Sequence, residues 1–217
     1  MPAVSEMLKA TEAAVVARVS LRDINRVIDE HILPEAFVSM DNGRHVLAGA
    51  CSFIAFYFES AKRLTSEERL FAIKTAGPRL TRSRALAWAA LLREDWTVRD
   101  EFLTIDLLPF LKGTSERLDD LAEARKVVWS SDDILGGTPI IRGTRVPVYD
   151  VAAAVAAGHP TERILIAWPS LNSEKVRLAV IYAEANPLRG RPRVYRDLPE
   201  GSTIITDRRV PRRRKAG

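Results

Sequence analysis

Residues 131–150 constrain the fold more tightly than any other part of the chain: Ser-Asp-Asp-Ile-Leu-Gly-Gly-Thr-Pro-Ile-Ile-Arg-Gly-Thr-Arg-Val-Pro-Val-Tyr-Asp. Gly136, Gly137 and Pro139 stop any helical run. Ile140-Ile141 and residues 146–148 are predicted to form two short strands. Gly143-Thr144 joins them as a two-residue hairpin turn, with Gly143 as the first central residue because glycine takes a positive φ without steric cost. Arg142 and Arg145 flank that turn and project from its mouth. Pro147 has no amide donor, so its strand is an edge or very short. Asp150 is placed to cap a helix over 151–157.

Gly158 ends that helix. Thr161 is then expected to cap a helix over 162–168, residues 169–171 turn, and Asn172 caps a helix over 173–185. The order suits a helix-turn-helix. The last helix carries only Glu174, Lys175, Arg177 and Glu184 as charges and is apolar around most of its circumference. A helix of that kind is usually buried, so packing or dimerisation is its expected role. The alternative is that Lys175 and Arg177, in its first turns, enter a DNA groove, where recognition helices make base contacts.

The run Gly-Gly-Thr-Pro-Ile-Ile-Arg-Gly-Thr-Arg-Val-Pro-Val, followed by Ala-Ala-Gly and then Trp-Pro-Ser-Leu, resembles a bacterial domain family known as domain of unknown function 433. That family is associated with VapB-type antitoxins of toxin–antitoxin pairs. The resemblance covers 132–185, about a quarter of the chain. It implies a small helix-turn-helix-like fold, DNA binding at the chain's own promoter, and a partner toxin of the PIN ribonuclease type.

A second helix-turn-helix pattern lies near the amino terminus. Thr11 is expected to cap a helix over 12–18, Val19-Ser20 turns, and Ser20 with Asp23 forms a capping box. Leu21, Ile24, Val27 and Ile28 follow at helical spacing. Arg22, Asn25, Arg26 and Asp29 fall on the opposite face. Arginine and asparagine suit base-edge readout because each forms paired hydrogen bonds, to guanine and adenine respectively. Pro34 ends the helix, and residues 36–40 and 45–48 flank Asp41-Asn42-Gly43-Arg44 as a hairpin. Helix, turn, helix, hairpin is the order of a winged helix, and 11–47 resembles the reader of a MerR-type regulator. Arg44 and His45 at the wing tip are then candidates for phosphate or minor-groove contact. An ordinary helical hairpin with a solvated face, followed by a surface Asn-Gly turn, is the competing explanation.

Residues 51–64 are apolar and aromatic and predict a helix buried against this first unit, for core or dimer contact. Ser66 is expected to cap a helix over 67–76 that Gly77-Pro78 breaks. A helix over 82–93 and one or two strands within 96–107 follow. Residues 107–126 mix a charged helical run with Gly113-Thr114. No chemical motif falls between 62 and 126; this region is expected to connect the two units, through a small sheet shared with Val127-Val128-Trp129.

The net charge of +5 is uneven: 188–217 hold ten Lys and Arg against three acidic residues, which leaves about −2 for the rest. The tail has too little apolar surface to fold alone. Arg189-Gly190-Arg191-Pro192 resembles the core of an AT-hook, which lies in the minor groove. Residues 198–205, including Ile204 and Ile205, are suited to adding as a strand to a partner. Arg189, Arg191, Arg193, Arg208, Arg209 and Arg212 would pair with the carboxylates of an acidic ribonuclease site in bidentate forks. A merely solubilising tail is the alternative.

Cys51 is the single cysteine, which rules out an internal disulfide framework and a cysteine-rich zinc site. His31, His45 and His159 are scattered, and there is no phosphate-cradling glycine loop or metal-ligand spacing, so neither an enzyme nor a cofactor is expected. The paired acids Asp119-Asp120 and Asp132-Asp133 read as a solvated helix and a turn. No apolar run is long enough for a membrane span, and the cytoplasm is the expected compartment.

The sequence therefore predicts a mainly α chain with small β elements. A winged helix-turn-helix domain spans 1–64, a connecting region 65–130, a second helix-turn-helix-like domain 131–187, and a mostly disordered basic tail 188–217. The expected function is a homodimeric antitoxin that binds operator DNA and a PIN-type toxin. A stand-alone MerR-like regulator is the alternative.

Overall fold

The structure, a computed structural model, describes residues 3–130 and 137–188. It is mostly helical, with three small antiparallel strand sets, as the sequence predicts.

Strand β1 (Met7–Lys9) leads directly into α1 (Ala10–Ala17), a three-residue turn, and α2 (Leu21–Asp29). Strands β2 (Val38–Ser39) and β3 (His45–Leu47) form the expected hairpin, and β1 adds to its far side, giving the order β1-β3-β2. Leu8 and Val38 both pair with Val46, and Leu8 and Val46 are fully buried. Thr11 does not cap α1. The helix starts one residue before it, the Glu12 carboxylate accepts the Lys9 amide at 3.0 Å, and the Thr11 hydroxyl donates instead to the Ala185 carbonyl at 2.7 Å. The Ser20–Asp23 capping box is present, each side chain accepting the other's amide at 3.1 Å. Ile24, Val27 and Ile28 point into the core, while Leu21 is 42% exposed at the start of the stripe.

Helix α3 (Cys51–Glu59), with a single 3-10 turn at each end, is buried along most of its length. Helix α4 (Ser66–Ser83) differs from expectation at both ends. Thr65, not Ser66, is its cap, exchanging hydrogen bonds with Glu68, and the helix runs through Gly77-Pro78. An interior proline costs a helix about 3 kcal/mol. Here Ala72, Ile73, Ala76 and Leu80 are all buried around it, and burial of that stripe outweighs the local cost. The predicted helix over 82–93 is reduced to α5 (Trp88–Leu91), because the chain turns after Ser83 to bury Trp88 and Leu91. The β4 (Thr97–Arg99) and β5 (Thr104–Asp106) hairpin matches the expected strands. Residues 107–126 form no mixed segment but one helix, α6 (Leu108–Val127), in which Thr114 is buried.

Strand β6 (Val128–Trp129) pairs with β7 (Ile140–Ile141), so the small sheet joins α6 to the Gly-Pro-rich hairpin. Only Ile140–Ile141 is a strand there; the expected partner across the turn is a single bridge at Pro147. Gly143, at φ 76°, takes the third rather than second turn position, since the turn closes from the Thr144 amide to the Ile141 carbonyl. Helices α7 (Val148–Ala156) and α8 (Thr161–Ala167) start earlier than predicted. Pro147 and Pro160 precede them, with φ near −65° already set, so Asp150 sits in the first turn of α7 and Thr161 is the first residue of α8. In α9 (Ser173–Ala185) the Asn172 cap holds, its side chain accepting the Lys175 amide at 2.8 Å.

Two buried clusters result. The larger draws on residues from Val4 to Leu121, so the expected first domain and connecting region share one core. The smaller is built from β6, β7 and helices α7 to α9. Helix α9 belongs to both: Val176 and Ala179 face the smaller cluster, Ala185 the larger, and the helix packs on α1, α6 and α7. Arg125 of α6 adds an ion pair to Glu6 at 2.8 Å and to the largely buried Glu12 at 2.9 Å. Among the described residues no helix is long and apolar enough to cross a membrane.

Candidate nucleic-acid interface

Arg18 closes α1 in the left-handed conformation, φ 55°, and the Val19 amide reaches back to the Ala14 carbonyl at 3.0 Å. That tight exit lets α2 begin after three residues, with its first turn projecting beyond the core. Arg22 sits in that turn, exposed, and makes no hydrogen bond or ion pair with any described residue. Its five donors are available to a ligand.

The rest of the α2 face is tied to itself and to the hairpin. Arg26 forms an ion pair with Glu30 one turn on, Nε to carboxylate at 3.0 Å, which pushes its already high pKa further up. The Arg44 guanidinium donates to Asn25 Oδ1 at 3.1 Å and pairs with Asp29 at 2.7 Å. Asn42 and Gly43 turn the hairpin at φ 56° and 115°, and His45 Nδ1 lies 3.1 Å from the Gly43 carbonyl. The fold thus brings Arg22, Asn25, Arg26, Arg44 and His45 together on one side, but leaves only Arg22 among the arginines without an internal partner. Exposed pairs such as Arg26–Glu30 are worth about 1 kcal/mol or less, so a phosphate competes for them readily.

Two contiguous depressions border this face. One of about 760 Å³ lies between the α1–α2 turn and the end of α9, lined by Val15, Arg18, Leu21, Glu184 and Pro187 among others. The other, about 720 Å³, runs past Leu21 and Asn25 to the hairpin tip and includes Asn186 and Leu188. Tyr149, which the sequence did not single out, lines it too. Its hydroxyl donates to the Asn186 carbonyl at 2.7 Å and fixes where the chain leaves α9. A tyrosine in an otherwise aliphatic helix was the one available signal, since a partly buried phenol needs a polar partner.

The cations of the second unit are arranged differently. Arg177 bridges Glu174 at 2.7 Å and Asp120 of α6 at 2.8 Å, and both carboxylates hold its pKa above the ordinary arginine value. It joins α9 to α6 rather than standing free. Lys175 is half-buried in the first turn of α9. Arg142 donates from Nε to the Lys126 carbonyl at 2.9 Å, at the end of α6, whereas Arg145 is exposed and has no partner among the described residues. Arg189, Arg191, Arg193, Ile204, Ile205, Arg208, Arg209 and Arg212 lie outside the described residues. Among the described residues no group of three or more His, Cys, Asp or Glu is placed to hold a metal ion.

Residues 128–183 match a family described as a protein of unknown function, DUF433. The match starts at Val128, the strand that pairs with Ile140–Ile141, and so takes in the whole of the small sheet. Over all 217 residues the chain is 79% identical to the uncharacterized protein y4eO of Sinorhizobium fredii (strain NBRC 101917 / NGR234), covering 100% of this chain and 98% of that protein. The chain belongs to the y4eO family. Within this family member the DUF433 match takes the carboxy-terminal third of the described fold, and the α2 face lies outside it. No solved structure matches the chain.

Proposed function

We propose that this y4eO-family chain is a DNA-binding antitoxin: a cytoplasmic homodimer that represses its own operon and neutralises a PIN-type ribonuclease. The observation that carries the DNA half is the unpartnered Arg22 in the projecting first turn of α2, beside the Asn42-Gly43 hairpin. A helix end of this kind enters the major groove while a neighbouring hairpin meets phosphate or minor groove. The toxin half is supported by the DUF433 match at 128–183 together with that family's association with VapB-type antitoxins. Arginine-rich residues 198–215 supply the chemistry to pair with an acidic nuclease centre.

The test is co-expression with the product of the neighbouring gene, scored by growth and by RNA cleavage, alongside gel shifts on the upstream duplex. The full chain rescues growth, and a chain ending at Leu188 fails to rescue but still shifts DNA. A stand-alone regulator is favoured by the larger core, which is nearly complete within 4–121 and already contains the α2 face. That reading is selected if the full chain shifts the duplex but protects against no neighbouring nuclease.

A further inference from the structure

We infer that the basic segment 189–196 is a DNA arm, laid on the duplex beside the groove that α2 enters; this rests on the DNA-binding half of the function proposed above. The chain leaves the described fold at Leu188, which lines the same depression as Leu21 and Asn25 of α2 and the hairpin tip. The exit is pinned on three sides. The Thr11 hydroxyl holds the Ala185 carbonyl at 2.7 Å, the Tyr149 hydroxyl holds the Asn186 carbonyl at 2.7 Å, and the Asn186 side chain donates to the Tyr182 carbonyl at 3.1 Å. The next residue is therefore delivered to the α2 face and not to the DUF433 side of the molecule.

Arg189, Arg191, Arg193 and Arg196 come before the first acid, Asp197. They emerge next to Lys9, Arg44 and His45, with Arg18 and Arg22 on the adjoining surface, and both Lys9 and Arg18 are exposed. The acids bordering the first depression do not neutralise this set: Asp23 is engaged by Ser20, and Glu184 stands alone against several cations. Like charges gathered at one exit repel unless a polyanion lies between them, and a duplex carries one phosphate charge for about every 1.7 Å of its axis. The reach is sufficient. Eight extended residues span up to about 26 Å, and half a turn of duplex, from a major groove to the next minor groove, is about 17 Å. Gly190 and Pro192 alternate with the first arginines, a composition suited to an extended strand in a narrow groove. The division of the tail follows: its proximal arginines serve DNA, and its distal strand and arginines serve the toxin.

Fluorescence anisotropy of the full chain on the duplex upstream of its own coding sequence, from 50 to 200 mM salt, tests this. Three variants are compared with the parent: a proximal triple (Arg189→Ala, Arg191→Ala, Arg193→Ala), a distal triple (Arg208→Ala, Arg209→Ala, Arg212→Ala), and Arg22→Ala. Three lost phosphate contacts lower the log–log salt slope by about 2.7. The proximal triple is expected to show that fall, together with weaker binding, while the distal triple keeps the parent slope. A minor-groove-binding drug is expected to bring the parent down to the proximal triple's affinity. An unchanged slope in the proximal triple, with binding still lost in Arg22→Ala, overturns the arm and leaves the α2 reader standing. So does a proximal triple that binds DNA normally but no longer neutralises the toxin, which would assign those arginines to protein recognition. Failure of the parent itself to bind any duplex removes reader and arm together.

Discussion

Arg22 and Arg26 stand one turn apart on α2, yet their surroundings separate them. Arg22 meets no described residue, whereas Arg26 is held by Glu30. A bidentate contact to a base edge is worth about 1–3 kcal/mol. Arg22→Ala is therefore expected to weaken operator binding by that amount and relax base preference at one position, read as affinities for a panel of single-base operator variants. Arg26→Ala is expected to cost less, because the parent side chain must first give up Glu30. Equal losses at both positions would mean that the Arg26–Glu30 pair does not persist in solution. The identities of these residues and their common face were legible in the sequence from helical spacing alone. Their occupancy was not, because Arg44 reaches Asn25 and Asp29 across a hairpin fifteen to nineteen positions away. Spacing within one helix carries no information about such a partner.

Elements were legible where a local signal agreed with the packing around it. The Ser20 and Asn172 caps held because each precedes a helix whose first turn is otherwise open. Asn172→Ala is expected to cost about 1 kcal/mol, the usual worth of an N-cap, measured as a shifted urea midpoint with unchanged slope. Thr65 and Glu68 form the other complete box. Hydrogen bonds from the Thr65 amide and hydroxyl hold the Glu68 carboxyl below the ordinary glutamate range. A carboxyl whose pKa is lowered by folding contributes stability above its unfolded pKa, and loses that contribution as pH falls through the folded value. Glu68→Gln should accordingly be less stable than the parent at neutral pH, with the difference vanishing in acid; a difference that persists at low pH would point to lost packing instead. Elements were illegible where packing overrode the local rule. Pro78 signals a break, but it sits among buried Ala72, Ile73, Ala76 and Leu80, and α4 continues. Gly113-Thr114 suggested an interruption, but Thr114 is buried within a continuous α6.

At the scale of the molecule, α9 is the element on which both cores close. Its apolar circumference indicated burial in advance, and the structure supplies the two surfaces that bury it. If that helix couples the cores, neither unfolds alone. The tryptophans allow a direct reading: Trp96 is buried in the larger cluster, and Trp168 packs against the smaller one. Two full-length variants, each keeping one of these and carrying phenylalanine at the other three tryptophans, report on one core apiece. Trp88 tolerates the exchange well, since its buried Nε1 has no hydrogen-bond partner to lose. Removal of Trp96 gives up one bond, to the Leu91 carbonyl at 2.8 Å, so midpoints must be compared within each variant against far-ultraviolet circular dichroism. In both variants the fluorescence and dichroism transitions are expected to coincide, as one cooperative unit requires. Arg177→Ala, which cuts the tie from α9 to Asp120, is then expected to lower both midpoints together. If the Trp168 signal is lost well before the dichroism, the DUF433 unit opens independently. In that case α9 covers the larger core without holding it.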